Sequence, residues 1–107
     1  MSHTFDYESL DMYRLAVRVA RWMRSTTWPA GTAKLRDQGT RAADSVVLNI
    51  AEGRMRGGVR AGRNHYRIAL GSAGEAAAVL DIIELPGGPE HHQLLRRIGA
   101  MLSKATR

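Results

Sequence analysis

Apolar side chains recur at helical spacing in four segments of this chain, and glycine or proline interrupts the pattern between them. The segments cover residues 7–25, 33–52, 60–85 and 90–105. Apolar residues three and four positions apart lie on one face of an α-helix, which can then be buried. No segment shows the alternating pattern of a strand. Because short turns join the four helices, the sequence predicts an all-α, antiparallel up-down-up-down four-helix bundle.

The length and composition fit a single domain that spans residues 1–107. There is no run of 18 apolar residues, so no membrane-spanning helix is predicted. Residues 1–6 lack the basic and then apolar pattern of a secretory signal. The chain has no cysteine, which excludes disulfides and thiol chemistry. We therefore expect a cytoplasmic protein that does not associate with membranes.

Glycines mark where the predicted helices come close or end. Gly39 lies inside the apolar stripe of the second segment, where glycine costs about 1 kcal/mol relative to alanine. We expect it to permit close approach of a neighbouring backbone. Gly53, followed by Gly57 and Gly58, is expected to end or bend the same helix. Several segments also carry apolar residues on both flanks, and this surplus predicts a homo-oligomer.

Positive charge is concentrated in one part of the chain. The net charge is +6, and residues 54–74 contain no acidic residue. An arginine-rich surface without carboxylates attracts anions, of which phosphate is the commonest in biology. An aromatic ring among the arginines could stack on a nucleobase. This pattern predicts a nucleic-acid-binding surface formed by Arg54, Arg56, Arg60, Arg63, Arg67 and the stacking residue Tyr66.

A solvated loop without a ligand remains the alternative interpretation of this segment, since charge runs are often only that. A second cationic stripe lies on the first predicted helix at Arg14, Arg18 and Arg21. It is either a solvated face or a contact for a partner or an anion.

Four sequence motifs occur in the order found in a known family. They are residues 5–10, the Arg-Ala-Ala-Asp-Ser-Val run at 41–46, Asn-Ile-Ala-Glu-Gly at 49–53, and Ala-Leu-Gly-Ser-Ala-Gly-Glu at 69–75. With these motifs the chain resembles the four-helix-bundle proteins encoded by intervening sequences in 23S ribosomal RNA genes. That family is similar in architecture to the accessory protein of diversity-generating retroelements, a basic pentameric ring thought to bind nucleic acid and a reverse transcriptase. The resemblance implies a bundle that assembles into a ring, a homopentamer, without a known catalytic activity.

Five residues of the shared motifs are candidates for a structural or a functional role. We expect Asn49 to form a hydrogen bond across the bundle and Glu52 to pair with an arginine near the helix end, because polar groups near a core need partners. Glu75 is expected to pair with Arg41 or Arg67. A ligand or metal site remains the alternative for Asn49 and Glu52. The predicted structural motif consists of Arg41, Asn49, Glu52, Gly53 and Glu75.

Residue patterns that would indicate catalysis are missing. His91 and His92 are adjacent, so on a helix they point about 100° apart and chelate one ion poorly. The paired Glu-x-x-His motifs of di-iron bundles do not occur. The serines have no identifiable base, and no phosphate-binding loop with its lysine is present. The sequence therefore predicts a non-enzymatic protein without a metal or cofactor.

Two functions from different classes fit these features. The first is nonspecific binding of RNA or DNA through the arginines. The second is a protein-interaction scaffold whose basic surface docks an acidic partner, such as a reverse transcriptase or another product of a neighbouring gene.

Overall fold

The computed structural model describes residues 5–107, and every regular element in this range is helical. A short 3₁₀ helix, Asp6–Ser9, precedes α1 (Asp11–Ser25), α2 (Ala33–Met55), α3 (Arg63–Ile82) and α4 (Gly88–Ala105). The predicted all-α class with four helices is confirmed. Of the predicted bounds, the end of α1, the start of α2 and the end of α4 agree with the structure, and the other bounds differ by two to four residues.

The four helices pack in chain order around one core. Helix α1 contacts α2 and α4, and α3 contacts the same two helices. The described chain measures 42 × 31 × 20 Å along its principal axes. Buried alanines bring the helices close together, and a few large side chains fill the remaining space. The largest fully buried side chains are Tyr66, Met23, Ile50, Ile98, Leu102, Val19 and Val46.

Helix α2 continues through Gly53 and ends two residues later, so the expectation that Gly53 ends or bends it is wrong. The hydrogen bonds that close the helix run from the Gly57 amide to the Arg54 carbonyl (3.1 Å) and from the Gly58 amide to the Gly53 carbonyl (3.0 Å). Gly57 and Gly58 have φ values of +118° and +74°. This is the glycine-dependent cap that lets a chain leave a helix sharply.

The turn that follows α2 explains why α3 begins at Arg63 and not at Arg60. Gly62 donates its amide hydrogen to the Gly58 carbonyl at 2.7 Å, so residues 56–62 form a compact turn of their own. At its other end, α3 stops at Ile82 because Ile83 is extended (φ −126°, ψ 135°). Helix α4 begins earlier than predicted, at Gly88, with Pro89 in its first turn, where a missing amide hydrogen costs nothing.

Gly39 makes room for neighbouring side chains and not for a neighbouring backbone, so the prediction of a close backbone approach is wrong. A β-carbon there would meet Val79 Cγ1 at 3.3 Å, and Met23 Sδ and the Trp28 ring at 3.4 Å. The Trp28 indole nitrogen donates to the Met23 carbonyl at 3.1 Å. The glycine therefore makes room for the tryptophan that covers this part of the α1–α2 contact.

Within the described range, no helix combines the length and apolar character needed to cross a bilayer.

Candidate nucleic-acid interface

The arginine segment, residues 54–67, covers the end of α2, the following turn and the start of α3. Two glycines bring these parts into backbone contact. A β-carbon at Gly62 would lie 1.8 Å from the Gly53 carbonyl oxygen, and one at Gly53 would lie 2.7 Å from the Tyr66 ring. The arginines therefore lie on a tightly packed junction between the end of α2 and the start of α3.

Arg63 holds two ends of the fold together. Its guanidinium donates a hydrogen bond to the carbonyl oxygen of Thr106, just past the end of α4. Its Nε is buried and has no hydrogen-bond partner in the part of the chain that the structure describes. A cation at a helix C-terminus is favourable because the helix dipole is negative there. Arg63 is thus engaged inside the protein, and we remove it from the predicted nucleic-acid-binding surface.

Tyr66 is buried, with 2% of its surface exposed. Burial raises the pKa of the Tyr66 hydroxyl, and the nearby Arg54 guanidinium, which hydrogen-bonds to it, acts in the opposite direction. The ring packs in the core between the helices and is not available to a nucleobase. The prediction that Tyr66 stacks on bases is therefore wrong, and Arg54 is partly engaged in holding this tyrosine.

The other three arginines of the segment are exposed. Arg56 pairs through Nε with Glu52 Oε2 at 2.8 Å, one helical turn before it. The guanidinium groups of Arg60 and Arg67 have neither an ion pair nor a hydrogen bond within residues 5–107. Arg60 and Arg67 are therefore free to contact an anion, and Arg56 can contribute through an exposed pair.

Asn49 belongs to a chain of side-chain hydrogen bonds that joins α2 to α3. Its Nδ2 lies 3.0 Å from the Ser45 carbonyl oxygen and 3.1 Å from Ser45 Oγ. Its Oδ1 lies 3.0 Å from His65 Nδ1. Ser45 Oγ lies 2.7 Å from Ser72 Oγ. We call these four side chains, Ser72, Ser45, Asn49 and His65, the α2–α3 polar network.

The remaining motif residues have separate positions. Glu52 pairs with an arginine at the end of α2, as described for Arg56 above. Gly53 is buried under the Tyr66 ring. Glu75 is exposed, and in the described chain no ion pair joins it to Arg41 or Arg67, so that expected pairing is wrong. Arg41 is likewise exposed.

Two of the three arginines in the cationic stripe on α1 form ion pairs with carboxylates. Arg14 pairs with Asp11, and Arg18 Nη2 lies 2.8 Å from Glu90 Oε1 on α4. Arg24, at the end of the same helix, pairs with Asp44 on α2. These exposed pairs each contribute little to stability, but they neutralise the charge that an anion would need. Arg21 is the member of the stripe that has no such pair among the residues described.

The two adjacent histidines point to different neighbours. The His91 ring stacks on Trp22 with 4.1 Å between ring centroids, and its Nδ1 donates to the Gly87 carbonyl at 2.7 Å. His92 Nε2 lies 3.0 Å from Asp81 Oδ1 on α3. The described part of the chain contains no cluster of three or more side chains able to hold a metal ion.

A family model described as 23S rRNA-intervening sequence protein matches residues 8–103. This chain belongs to that family. No curated protein matches the chain. The Asn-Ile-Ala-Glu-Gly motif of this chain corresponds to the last part of α2, where Asn49 contacts His65 and Gly53 packs against Tyr66.

The expected hydrogen bond of Asn49 across the bundle is confirmed by its contact with His65, but its partners Ser45, His65 and Ser72 were not predicted. Ser45 and Asn49 are four residues apart on α2, and His65 and Ser72 are seven apart on α3, so each pair lies on one side of its helix. That spacing is the signal in the sequence, but it becomes specific only when the register between the two helices is known.

Proposed function

We propose that this protein is a non-enzymatic, basic bundle that binds RNA or DNA nonspecifically through arginines at the α2–α3 turn. The observation that carries the proposal is that the guanidinium groups of Arg60 and Arg67 are exposed and have no partner among residues 5–107. They lie in a stretch, residues 54–74, that has no acidic residue, in a chain of net charge +6. The phosphate groups of nucleic acids are anions that such a surface attracts.

Binding of this kind works by releasing counterions from the nucleic acid. Each phosphate contact steepens the fall of affinity with salt, by about 0.7 in the slope of log K against log salt for a single strand and about 0.9 for duplex DNA. The mechanism needs no base contact, which agrees with the burial of Tyr66. Arg56 is the third contact, because its pair with Glu52 is exposed and a phosphate can share the guanidinium.

A charge-matched pair of variants tests the surface. In Arg60→Gln/Arg67→Gln, binding to a labelled single-stranded RNA should weaken, and the salt slope should fall by about 1.4. Arg36→Gln/Arg97→Gln removes the same charge from exposed arginines on α2 and α4 and should leave most of that slope intact. Equal losses in the two variants would show attraction by net charge alone and would refute the proposed surface.

We further propose that the four helices run antiparallel in up-down-up-down order and that the bundle assembles into a ring in the cytoplasm. Helix order supports the topology, since helices adjacent in sequence contact each other and α4 contacts α1. Membership of the family, which the resemblance links to a homopentamer, supports the ring. A ring would repeat the arginine segment once per subunit and convert weak contacts into avidity.

A protein-interaction scaffold is the second candidate, and exposed apolar side chains favour it. Leu48 is 66% exposed and lines an open apolar depression together with Val17, Ala20 and Val47, and a contiguous exposed apolar patch can mark a protein contact. In this alternative the basic surface docks an acidic partner, such as a reverse transcriptase or another neighbouring-gene product. A partner that stays bound after nuclease treatment of a lysate would favour the scaffold, whereas loss of all bound material would favour nucleic acid.

A further inference from the structure

The α2–α3 polar network fixes the orientation of the Asn49 side chain. The Ser45 carbonyl oxygen can only accept a hydrogen bond, so the Asn49 atom 3.0 Å from it must be the amide nitrogen. The amide oxygen of Asn49 is therefore the atom that faces His65 Nδ1. This orientation follows from the chemistry of the partners and needs no hydrogen positions.

The orientation of Asn49 in turn fixes the tautomer of His65. Because Asn49 Oδ1 only accepts, His65 Nδ1 must carry a hydrogen and donate it across the 3.0 Å contact. The second ring nitrogen, Nε2, then has a free lone pair in the neutral ring. Nε2 has no hydrogen-bond partner within the described residues, and it is not fully buried.

Protonation of His65 at Nε2 would leave the network unchanged. Nδ1 donates to Asn49 in the neutral and in the charged ring alike, so no partner has to move. The result is one more positive charge at a fixed position where α2 meets the start of α3, within the arginine segment. Histidine is the side chain whose charge ordinarily changes between pH 5 and 8.

On this side of the α2–α3 contact, the charged groups leave a protonated His65 ring available to an anion. By helical spacing they are Arg41, Glu52 and Arg56 on α2 and Glu75 on α3, with Arg60 in the turn. Glu52 is the carboxylate one turn from Asn49, and Arg56 already engages it at 2.8 Å. Ile68 and Ser72, which share the His65 side of α3, are uncharged. An added anion is thus the natural partner of a charged His65.

We propose that His65, protonated at Nε2, is a further phosphate-binding residue of the nucleic-acid surface, and that Ser72, Ser45 and Asn49 position it. This inference rests on the proposed function. It makes binding stronger at mildly acid pH, because one more phosphate contact forms without any rearrangement of the protein.

Salt titrations of a labelled single-stranded RNA at pH 8.0 and pH 5.5 test this residue. The slope of log K against log salt should be steeper by about 0.7 at pH 5.5 for the wild type. His65→Gln should show no such difference, and its amide can still donate to Asn49 Oδ1. His65→Arg should reach the steeper slope already at pH 8.0. His92→Gln, which removes the histidine that contacts Asp81, should keep the wild-type difference.

The possible outcomes separate the two proposals. Equal wild-type slopes at both pH values would overturn the role of His65 while leaving the arginine surface in place. A pH difference that survives in His65→Gln would overturn it as well. Absence of salt-dependent binding at both pH values would refute the proposed function itself.

A spectroscopic measurement tests the positioning independently of binding. Nitrogen-15 spectra of the histidine rings in the 107-residue chain should show the neutral His65 ring hydrogenated at Nδ1. In Asn49→Leu the neutral ring should become a mixture of tautomers. A neutral wild-type ring hydrogenated at Nε2 would contradict the network.

Discussion

Gly53 and Gly62 illustrate how single residues determine whether the arginine segment can form. Their backbones touch, and a β-carbon at Gly62 would lie 1.8 Å from the Gly53 carbonyl oxygen. No rotamer change relieves a clash between a β-carbon and a backbone atom. The end of α2 and the start of α3 would have to separate, which would also disturb the packing of Tyr66 against Gly53.

Gly62→Ala should therefore destabilise the protein by about 2–3 kcal/mol or more, in the range of overpacked core substitutions. Gly71→Ala is the matched control, because Gly71 lies in the middle of α3 with nothing within 4 Å of a β-carbon. That substitution should stabilise the protein by up to about 1 kcal/mol through helix propensity. Urea unfolding measures both effects. If Gly62→Ala were as stable as the wild type, the close contact between Gly53 and Gly62 would be contradicted.

At the scale of helices, side chains at the ends of elements connect parts that are distant in sequence. Arg63, at the first position of α3, binds the carbonyl of Thr106 after the end of α4, 43 residues later. This contact joins α3 to α4 at one end of the bundle, and farther along the same two helices Leu70 approaches Gly99.

Arg63→Met should cost about 1–2 kcal/mol of unfolding free energy. A hydrogen bond from a charged donor contributes about 1.5–3 kcal/mol, and the expected loss lies at the lower end because the substitution also removes the buried Nε, which has no partner among the described residues. Arg67→Met, one helical turn later and exposed, should leave stability nearly unchanged. Thermal unfolding of the two variants gives the comparison. The end of α4 should also show faster amide hydrogen exchange in Arg63→Met, and equal protection in both variants would disprove the closing role of Arg63.

The helices also show how much of this structure the sequence could predict. Helical periodicity identified four helices, because buried stripes of alanine and larger apolar residues recur every three or four positions. The predicted ends of α2 and α3 differ from those in the structure. Gly53 stays helical, and it is a glycine because the Tyr66 ring and the Gly62 backbone leave no room for a side chain. The roles of Arg63 and Tyr66 could not be predicted, because local sequence shows only that a cation and an aromatic ring are nearby. Their partners are set by the packing of α3 against α2 and α4.

At the scale of the whole molecule, a single bundle leaves one apolar region of its surface uncovered. An open apolar depression lies between α1 and α2, lined by Val17, Ala20, Val47 and Leu48, with Arg21, Arg24 and Asp44 at its edge. Leu48 is 66% exposed beside it. Apolar side chains surrounded by charged ones are typical of protein interfaces. The proposed ring gives this depression a second copy of the chain as its occupant.

Leu48→Lys should dissociate the proposed assembly, because it would bury an unpaired charge in the contact between subunits. Val59→Lys adds the same charge to an equally apolar, 53% exposed position in the α2–α3 turn and should leave assembly intact. Sedimentation equilibrium of the wild type should give a mass of five times the 11.8 kDa chain. A wild type that sediments as a single chain would exclude the ring. An unchanged assembly in Leu48→Lys would instead exclude this depression as the contact, and Ile82 on α3 would then be the exposed apolar residue to replace next.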